Sequence, residues 1–385
     1  MTEMVPISWA LRSAGWDVLV AGDPDVGPTA RGAGLNIAEI GELVALEEKS
    51  KQGLPAEMFP LEVLASRTTE EGRTWWGQGS AALVPHAIEH IEEFRKLTLD
   101  WQPDVLVCDG MSILGWLLGS AVDVPFVRYL TGLAPFLGPF YDSAAQLLEG
   151  TCAKLGLPGL ATPDLVIDPV PASLQAEDAP TGMRVRYVPY NNTGTLPRWA
   201  REKSDKRRVC VIFGSSTAMT GPRPVLNVLD ALAGVPDVEI TVALSAENHE
   251  LVGPLPAEIR TVERLPLNLF MDSTDLVIHH GGAGTGLTAT AYGVPQIVLP
   301  QWGNSFDYAR RLTDAGAGLR FQSRAEQDDI GALRAAIIRI LDDPGFTESA
   351  ARLRTEMESA PPMPSAVDRI AKLAQGESLD EFATS

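Results

Sequence analysis

Hydrophobic positions in this chain follow two rhythms, short apolar runs and longer stretches with helical spacing, and the two alternate along its length. The opening MTEMVPISWALRSAGWDVLVAG sets the pattern. Met4 to Ala14 predicts an amphipathic helix, and Trp16 to Ala21 predicts a buried strand that stops at Gly22. Alternation of this kind builds a parallel sheet covered by helices, an α/β doubly wound architecture. Such a domain ordinarily opens on a strand, because a lone leading helix has no sheet to cover.

An internal repeat accounts for the odd opening. PDVLVCDG (Pro103 to Gly110) leads through a small-residue helix to VPFVRY (Val124 to Tyr129). TDLVIHHGG (Thr274 to Gly282) leads through a second small-residue helix to VPQIVLP (Val294 to Pro300). Asp104 and Asp275 stand 171 residues apart, Pro125 and Pro295 170 apart, so one βαβ unit is written twice. Ahead of the second copy the pattern predicts a strand at Arg208 to Gly214, a helix at Pro224 to Ala233 and a strand at Val238 to Leu244. Ahead of the first it predicts only a helix and a strand. The first domain therefore reads without its first strand, which is central in a sheet of order 3-2-1-4-5. Lacking it, neighbouring strands forgo ladder partners at about 1–3 kcal/mol per buried unpaired group. The expectation is a mis-assigned or truncated start, with the true start codon upstream of Met1; the alternative is a compromised domain.

A length of 385 residues fits two domains, expected at 1–190 and 207–363. The turn-rich, charged stretch 191–206 reads as their linker. A helix at Ala366 to Leu373 and a polar tail fill 364–385.

Composition narrows the function classes. With 45% hydrophobic and 21% charged residues the chain has material for two cores, and its net charge of −19 opposes tracking nucleic-acid phosphates or anionic membranes. Cys108, Cys152 and Cys210 lie far apart and suggest neither a disulfide framework nor a metal site. No leader pattern and no apolar run of membrane-spanning length occurs, so a cytoplasmic setting is the expectation.

The sharpest motif is HHGGAGTGLTATAYG, His279 to Gly293. An apolar strand ends in two histidines, glycines at 281, 282 and 284 allow close backbone approach, and Thr285 opens a helix. A helix N-terminus with free N–H groups suits a diphosphate, and His280 at its mouth adds a donor or a positive charge. The plainer reading is a glycine-rich turn with a capped helix; two histidines needing partners weigh against it. A dinucleotide fingerprint fits poorly, since Leu287 takes the third glycine position and Trp302 the place of the ribose-binding acid.

HHGGAGT, followed by GVPQIVLPQ and DYARRLTDAGAG, resembles the donor signature of GT-B glycosyltransferases, closest to the actinomycete enzymes that attach deoxysugars to polyketides. VIDPVPASLQAEDAP, YVPYN and LPLNLF resemble the same branch, including its angucycline-type C-glycosyltransferases. The resemblance runs from Met4 to about Ala374 and implies two Rossmann-like domains facing across a cleft. It implies a dTDP-deoxysugar donor, an aromatic polyketide acceptor, C- or O-linkage, and no cofactor or metal. It places His280, Gly282, Gly284 and Thr285 on the diphosphate, Leu267 near the base, and Ser215 along the cleft.

Two departures from that family stand out. The usual Asp-Gln pair that reads sugar hydroxyls is Asn304-Ser305 here, which suits a sugar short of hydroxyls, with Asp307 a nearby candidate; a helix-start acid is the plainer reading of Asp307. The loop after the first strand, which in the family carries a catalytic His, lies outside the sequence. Asp109, at the carboxyl end of the fourth strand, would orient such a His or act itself as base; otherwise it is a turn acid capping the next helix.

His86 and His90, flanked by glutamates, read as a solvated helix face, and Asp23-Pro24-Asp25 reads as a turn rather than a metal motif. Among Phe126, Tyr129, Phe136, Phe140, Tyr141, Trp75 and Trp76, most read as core. Trp76, Tyr129 and Phe136 are the acceptor candidates.

The rival readings are a sugar-nucleotide 2-epimerase of the same fold, disfavoured by Asn304-Ser305, and a silent auxiliary homologue. The expected partners are the nucleotide sugar and the aglycone, with no nucleic acid and no membrane. Homodimerisation stays open.

Overall fold

The computed structural model describes residues 2–42, 55–65, 69–133, 137–214, 216–263 and 265–377. Ser215 and Phe136, both expected at the site, lie outside them. The strands are β1 (Leu19–Gly22), β2 (Asn36–Glu39), β3 (Leu106–Asp109), β4 (Phe126–Tyr129), β5 (Leu165–Asp168), β6 (Met183–Arg184), β7 (Arg207–Ile212), β8 (Val238–Ala243), β9 (Arg260–Val262), β10 (Leu276–His279), β11 (Gln296–Val298) and β12 (Gly318–Arg320). The helices used below are α1 (Val5–Ser13), α2 (Glu70–Trp101), α3 (Ile113–Ala121), α4 (Leu137–Leu155), α5 (Arg223–Leu232), α6 (Ala283–Tyr292), α7 (Ser305–Asp314), α8 (Ile330–Asp342), α9 (Pro344–Ser359) and α10 (Met363–Ala374).

The second half is one parallel sheet of order β12-β11-β10-β7-β8-β9, so its first strand is central, as expected for a doubly wound domain. Every residue of β10 and β11 is buried, and Val209, Val211, Ile278 and Ile297 pack under α5 and α8. Continuous apolar runs serve strands covered on both faces. Asp329 starts α8 by accepting the Ala332 N–H at 2.9 Å.

The first half carries its parallel strands in two pieces, β1-β2 and β3-β4-β5-β6. Among the described residues no strand lies between β1 and β3; a cavity of about 1050 Å3 opens there, lined by both. Facing α2, which Thr69 caps through the Gly72 N–H, are α3 and α4. Trp116, Leu117, Phe126, Phe140 and Leu148 fill the core between them.

The repeat is exact in hydrogen bonding. Leu106 N–H donates to the Pro125 carbonyl at 2.9 Å, and Val277 N–H to that of Pro295 at 3.1 Å. This register sets Asp109 opposite His280 in the two copies.

The opening helix does find a sheet. Ile7 and Leu11 of α1 pack on Val127 and Ile167 together with Val367 and Ile370 of α10. Helix α10 thus returns from the second half to cover the first. No helix among the described residues is long and apolar enough to cross a membrane.

Candidate active site

Backbone geometry at the end of β10 builds the anion pocket. Gly281 has φ +87°, and a Cβ there would stand 2.7 Å from Ser305 Cβ. A Cβ on Gly282, the N-cap of α6, would stand 2.6 Å from His280 Nε2. Only glycine fits both places. The N-cap residue of α6, Gly282, supplies no side-chain cap. The N–H groups of Ala283, Gly284 and Thr285 have no intrahelical acceptor by helix geometry, and the dipole adds about half a positive charge. That is a socket for phosphate oxygens.

The two histidines divide the work. His279 is fully buried; its Nδ1 accepts the Gly281 N–H at 3.1 Å, which leaves its Nε2–H for Gln296 Oε1 at 2.9 Å. The Tyr308 hydroxyl donates to the same Gln296 oxygen at 2.8 Å. Burial drives the His279 pKa down to about 3, so it is a neutral strut that fixes the glycine turn. His280 lies between Phe213 and Trp302, with ring centroids 6.3 and 5.7 Å away. The Ile212 backbone carbonyl lies beside its ring, and burial lowers its pKa to about 4. Of the donor or positive charge expected of it, the neutral group remains.

Other expected donor contacts are already engaged. Leu267 is buried in a cluster with Phe270 and Val277, so only its backbone can meet a base. Asn304 Nδ2 donates to the Leu133 carbonyl of the first half at 3.0 Å. This corrects its expected role: it ties the two halves across the cleft. Ser305 is buried, and its hydroxyl donates to the Trp302 carbonyl at 2.5 Å. Asp307, in the first turn of α7, pairs with Arg310 at 2.9 Å, as a helix-start acid does.

On the opposite wall, Asp109 ends β3, half-buried. Its Oδ1 accepts the Met111 N–H at 2.8 Å, and burial raises its pKa. It is a turn acid and a base of enhanced strength at once. The turn is held from beneath by Arg128, whose Nε and Nη2 donate to the Gly110 carbonyl at 3.1 and 2.7 Å. The Arg128 guanidinium stacks on Trp116, 4.6 Å from the ring centre.

Of the acceptor candidates, Trp76 is buried in the core of the first half, where its ring packs towards the donor side: a Cβ on Gly303 would stand 3.5 Å from it. Tyr129 does not serve; it is 1% exposed, within the core that α1 and α10 make with β4. Phe126 and Phe140 are core as well. His86 and His90 also differ from expectation. Their rings lie 4.6 Å apart, and His86 Nε2 meets Asp23 Oδ1 at 3.1 Å, so this helix face packs on the β1 edge rather than facing water. Asp23 enters a turn, as its proline predicts.

Sequence reading missed Trp302 and Arg128. Trp302 packs on His280 and meets Phe59 of the first half edge-on at 6.2 Å. Its place between LPQ and Gly303 was the available signal.

Residues 9–214 match the N-terminal domain, and 226–373 the C-terminal domain, of the family described as "Erythromycin biosynthesis protein CIII-like". The L-demethylnoviosyl transferase of Streptomyces niveus is 33% identical over 93% of this chain and 91% of its own. The aclacinomycin-T 2-deoxy-L-fucose transferase of Streptomyces galilaeus is 31% identical over 100% and 95%. Among solved structures, the spinosyn rhamnosyltransferase SpnG superposes with a TM-score of 0.88 at 38% identity, covering 96% of each chain. That enzyme has also been seen with thymidine diphosphate and with spinosyn aglycone.

Proposed function

Because the chain belongs to the erythromycin biosynthesis protein CIII-like family of antibiotic-pathway glycosyltransferases, we propose that it moves a deoxyhexose from a dTDP-sugar to an aromatic polyketide aglycone. It is a GT-B enzyme, a nucleotide-sugar-dependent hexosyltransferase. The finer reading rests on one observation above all: the N-terminus of α6, shaped by Gly281 and Gly282 and flanked by neutral His280.

The reaction follows from that geometry. As the glycosidic bond loosens, negative charge grows on the leaving diphosphate while the sugar becomes oxocarbenium-like. Fixed N–H donors and the helix dipole stabilise that charge as it develops, without reorganising at the moment of reaction. His280, held neutral by burial, adds a hydrogen bond. Across the cleft, Asp109 takes the proton from a phenolic acceptor directly or through an intervening group. Half-buried Trp302 beside His280 suits a flat polycycle, and attachment through carbon or oxygen follows from how that ring is posed.

Calorimetry with thymidine diphosphate tests this reading. The unmodified chain is expected to bind it, and His280→Ala to weaken binding and cut turnover by about 10²–10³-fold, the usual loss of one such donor. No affinity for thymidine diphosphate, with His280→Ala turning over normally, would overturn it. Incubation with the sugar nucleotide alone should yield no epimer.

A further inference from the structure

We propose, on the reading of the α6 N-terminus as the diphosphate pocket, that Arg324 is a positioning residue of the donor site. It clasps a strap of the first half, residues 56–62, onto the second, and so seats Phe59 against Trp302 and Trp302 against His280.

The strap belongs to the first half by its packing. Leu61 and Leu64, at its end, bury in the core with Ala87 and Trp116. Its backbone, however, is held by the second half. Arg324 Nη2 donates to the carbonyls of Glu57 and Phe59, and the Arg324 N–H donates to Glu62 Oε1 at 2.9 Å. Leu61 N–H donates to the Gln301 carbonyl at 2.8 Å. Neighbouring carbonyls on one strap suit a guanidinium, whose donors are fixed in a plane and always charged. A charged donor also makes each of these bonds stronger than a neutral one would.

The surface that receives the strap is braced. Buried Gln327, at the other end of the short helix Arg324–Gln327, donates through Nε2 to the Pro300 and Phe321 carbonyls at 3.1 and 2.9 Å. Its Oε1 accepts from Gln301 Nε2 at 2.9 Å, and that amide also serves the Leu299 carbonyl. Arg324 and the segment 299–302 therefore form one unit, and the unit ends at Trp302.

From Trp302 the contacts run into the site. Phe59 meets it edge-on at 6.2 Å, and His280 lies 5.7 Å from it with the rings tilted by 36°. Aromatic neighbours fix the plane of an imidazole without charging it, which is what a neutral group aimed at a diphosphate needs. Trp302 sets the tilt of His280, and the strap sets Trp302. When the strap lifts, Arg324 loses its carbonyls and Trp302 loses Phe59, so clasping and donor affinity are one coupled equilibrium.

The test is a double-mutant cycle on the full chain, read by calorimetry with thymidine diphosphate. Arg324→Ala and Trp302→Leu should each raise the Kd about tenfold, and the double variant should bind no more weakly than Trp302→Leu alone. By reciprocity, thymidine diphosphate should slow hydrogen exchange of the Leu61 amide about fivefold or more in the unmodified chain and leave it unchanged in Trp302→Leu. Phe59→Leu keeps the core filled and removes the ring edge, so it runs the same cycle from the strap side should Arg324→Ala disturb the fold. Losses that multiply in the double variant overturn the proposal, since Arg324 then acts on the donor by another route. An Arg324→Ala chain that binds as tightly as the unmodified one overturns it as well and leaves the diphosphate pocket standing. Only an unmodified chain without affinity for thymidine diphosphate strikes down the pocket too.

Discussion

β3 and β10 are two copies of one strand, and they live in different surroundings. Both follow an aspartate, donate to a proline carbonyl on the next strand, and end at a group facing the cleft. Yet all four residues of β10 are buried and all four of β3 are only half-buried. The difference is the neighbour: β10 has β7 along one edge and β3 has a cavity. Burial of a strand is thus conferred by its neighbours, while its hydrogen-bond register is written locally.

The comparison breaks most sharply at the strand ends, where Asp109 and His280 occupy equivalent positions with unlike chemistry. Asp109→Asn keeps the shape and removes the base, so turnover should fall by about 10²–10⁴-fold. Thymidine diphosphate affinity, measured calorimetrically, should stay within a few fold. A parallel loss of diphosphate binding would mean that the first half helps to hold the donor.

A smaller effect comes from truncating equivalent apolar side chains. Ile278→Ala in β10 should cost about 2–5 kcal/mol of unfolding free energy, since a fully buried aliphatic leaves a cavity. Val107→Ala in β3 should cost less than half of that in chemical denaturation. Equal costs would show that the two strands are equally covered in solution.

The smallest effect is the pH slope of the glycine turn. His279 has a folded pKa near 3 against an ordinary value of 6.5. The unfolded chain therefore binds a proton that the folded chain refuses between those limits. Stability is fully present above about pH 6.5 and falls as pH drops towards 3, at about 1.4 kcal/mol per pH unit for this one group. His279→Gln should flatten the acid limb of a denaturation-versus-pH series by that slope. Cys108, at the equivalent place in β3, carries no such dependence, since burial pushes its thiol up to about 12.

Much of this was legible in the sequence because it is local. Alternating periods, the repeat spacing of 171, and glycines before a helix all report on residues that touch their chain neighbours. Element ends moved by up to three residues; the β1 strand, expected from Trp16, starts at Leu19. Roles set by distant contacts were not legible. Tyr129 reads as a cleft aromatic until α10 arrives to cover it, from more than 230 residues downstream. Asn304 reads as a sugar contact until Leu133 offers its carbonyl. His279 and His280 are adjacent and alike in sequence, and only Gln296 and the Gly281 N–H tell the strut from the ligand group.

The return of α10 to the first half has a mechanical meaning. The chain crosses between the halves at 191–206 and again just before α10, and the two crossings start side by side: Arg186 N–H donates to the Pro361 carbonyl at 2.7 Å. Two strands of chain joined at one edge tether the halves more tightly there than a single linker would.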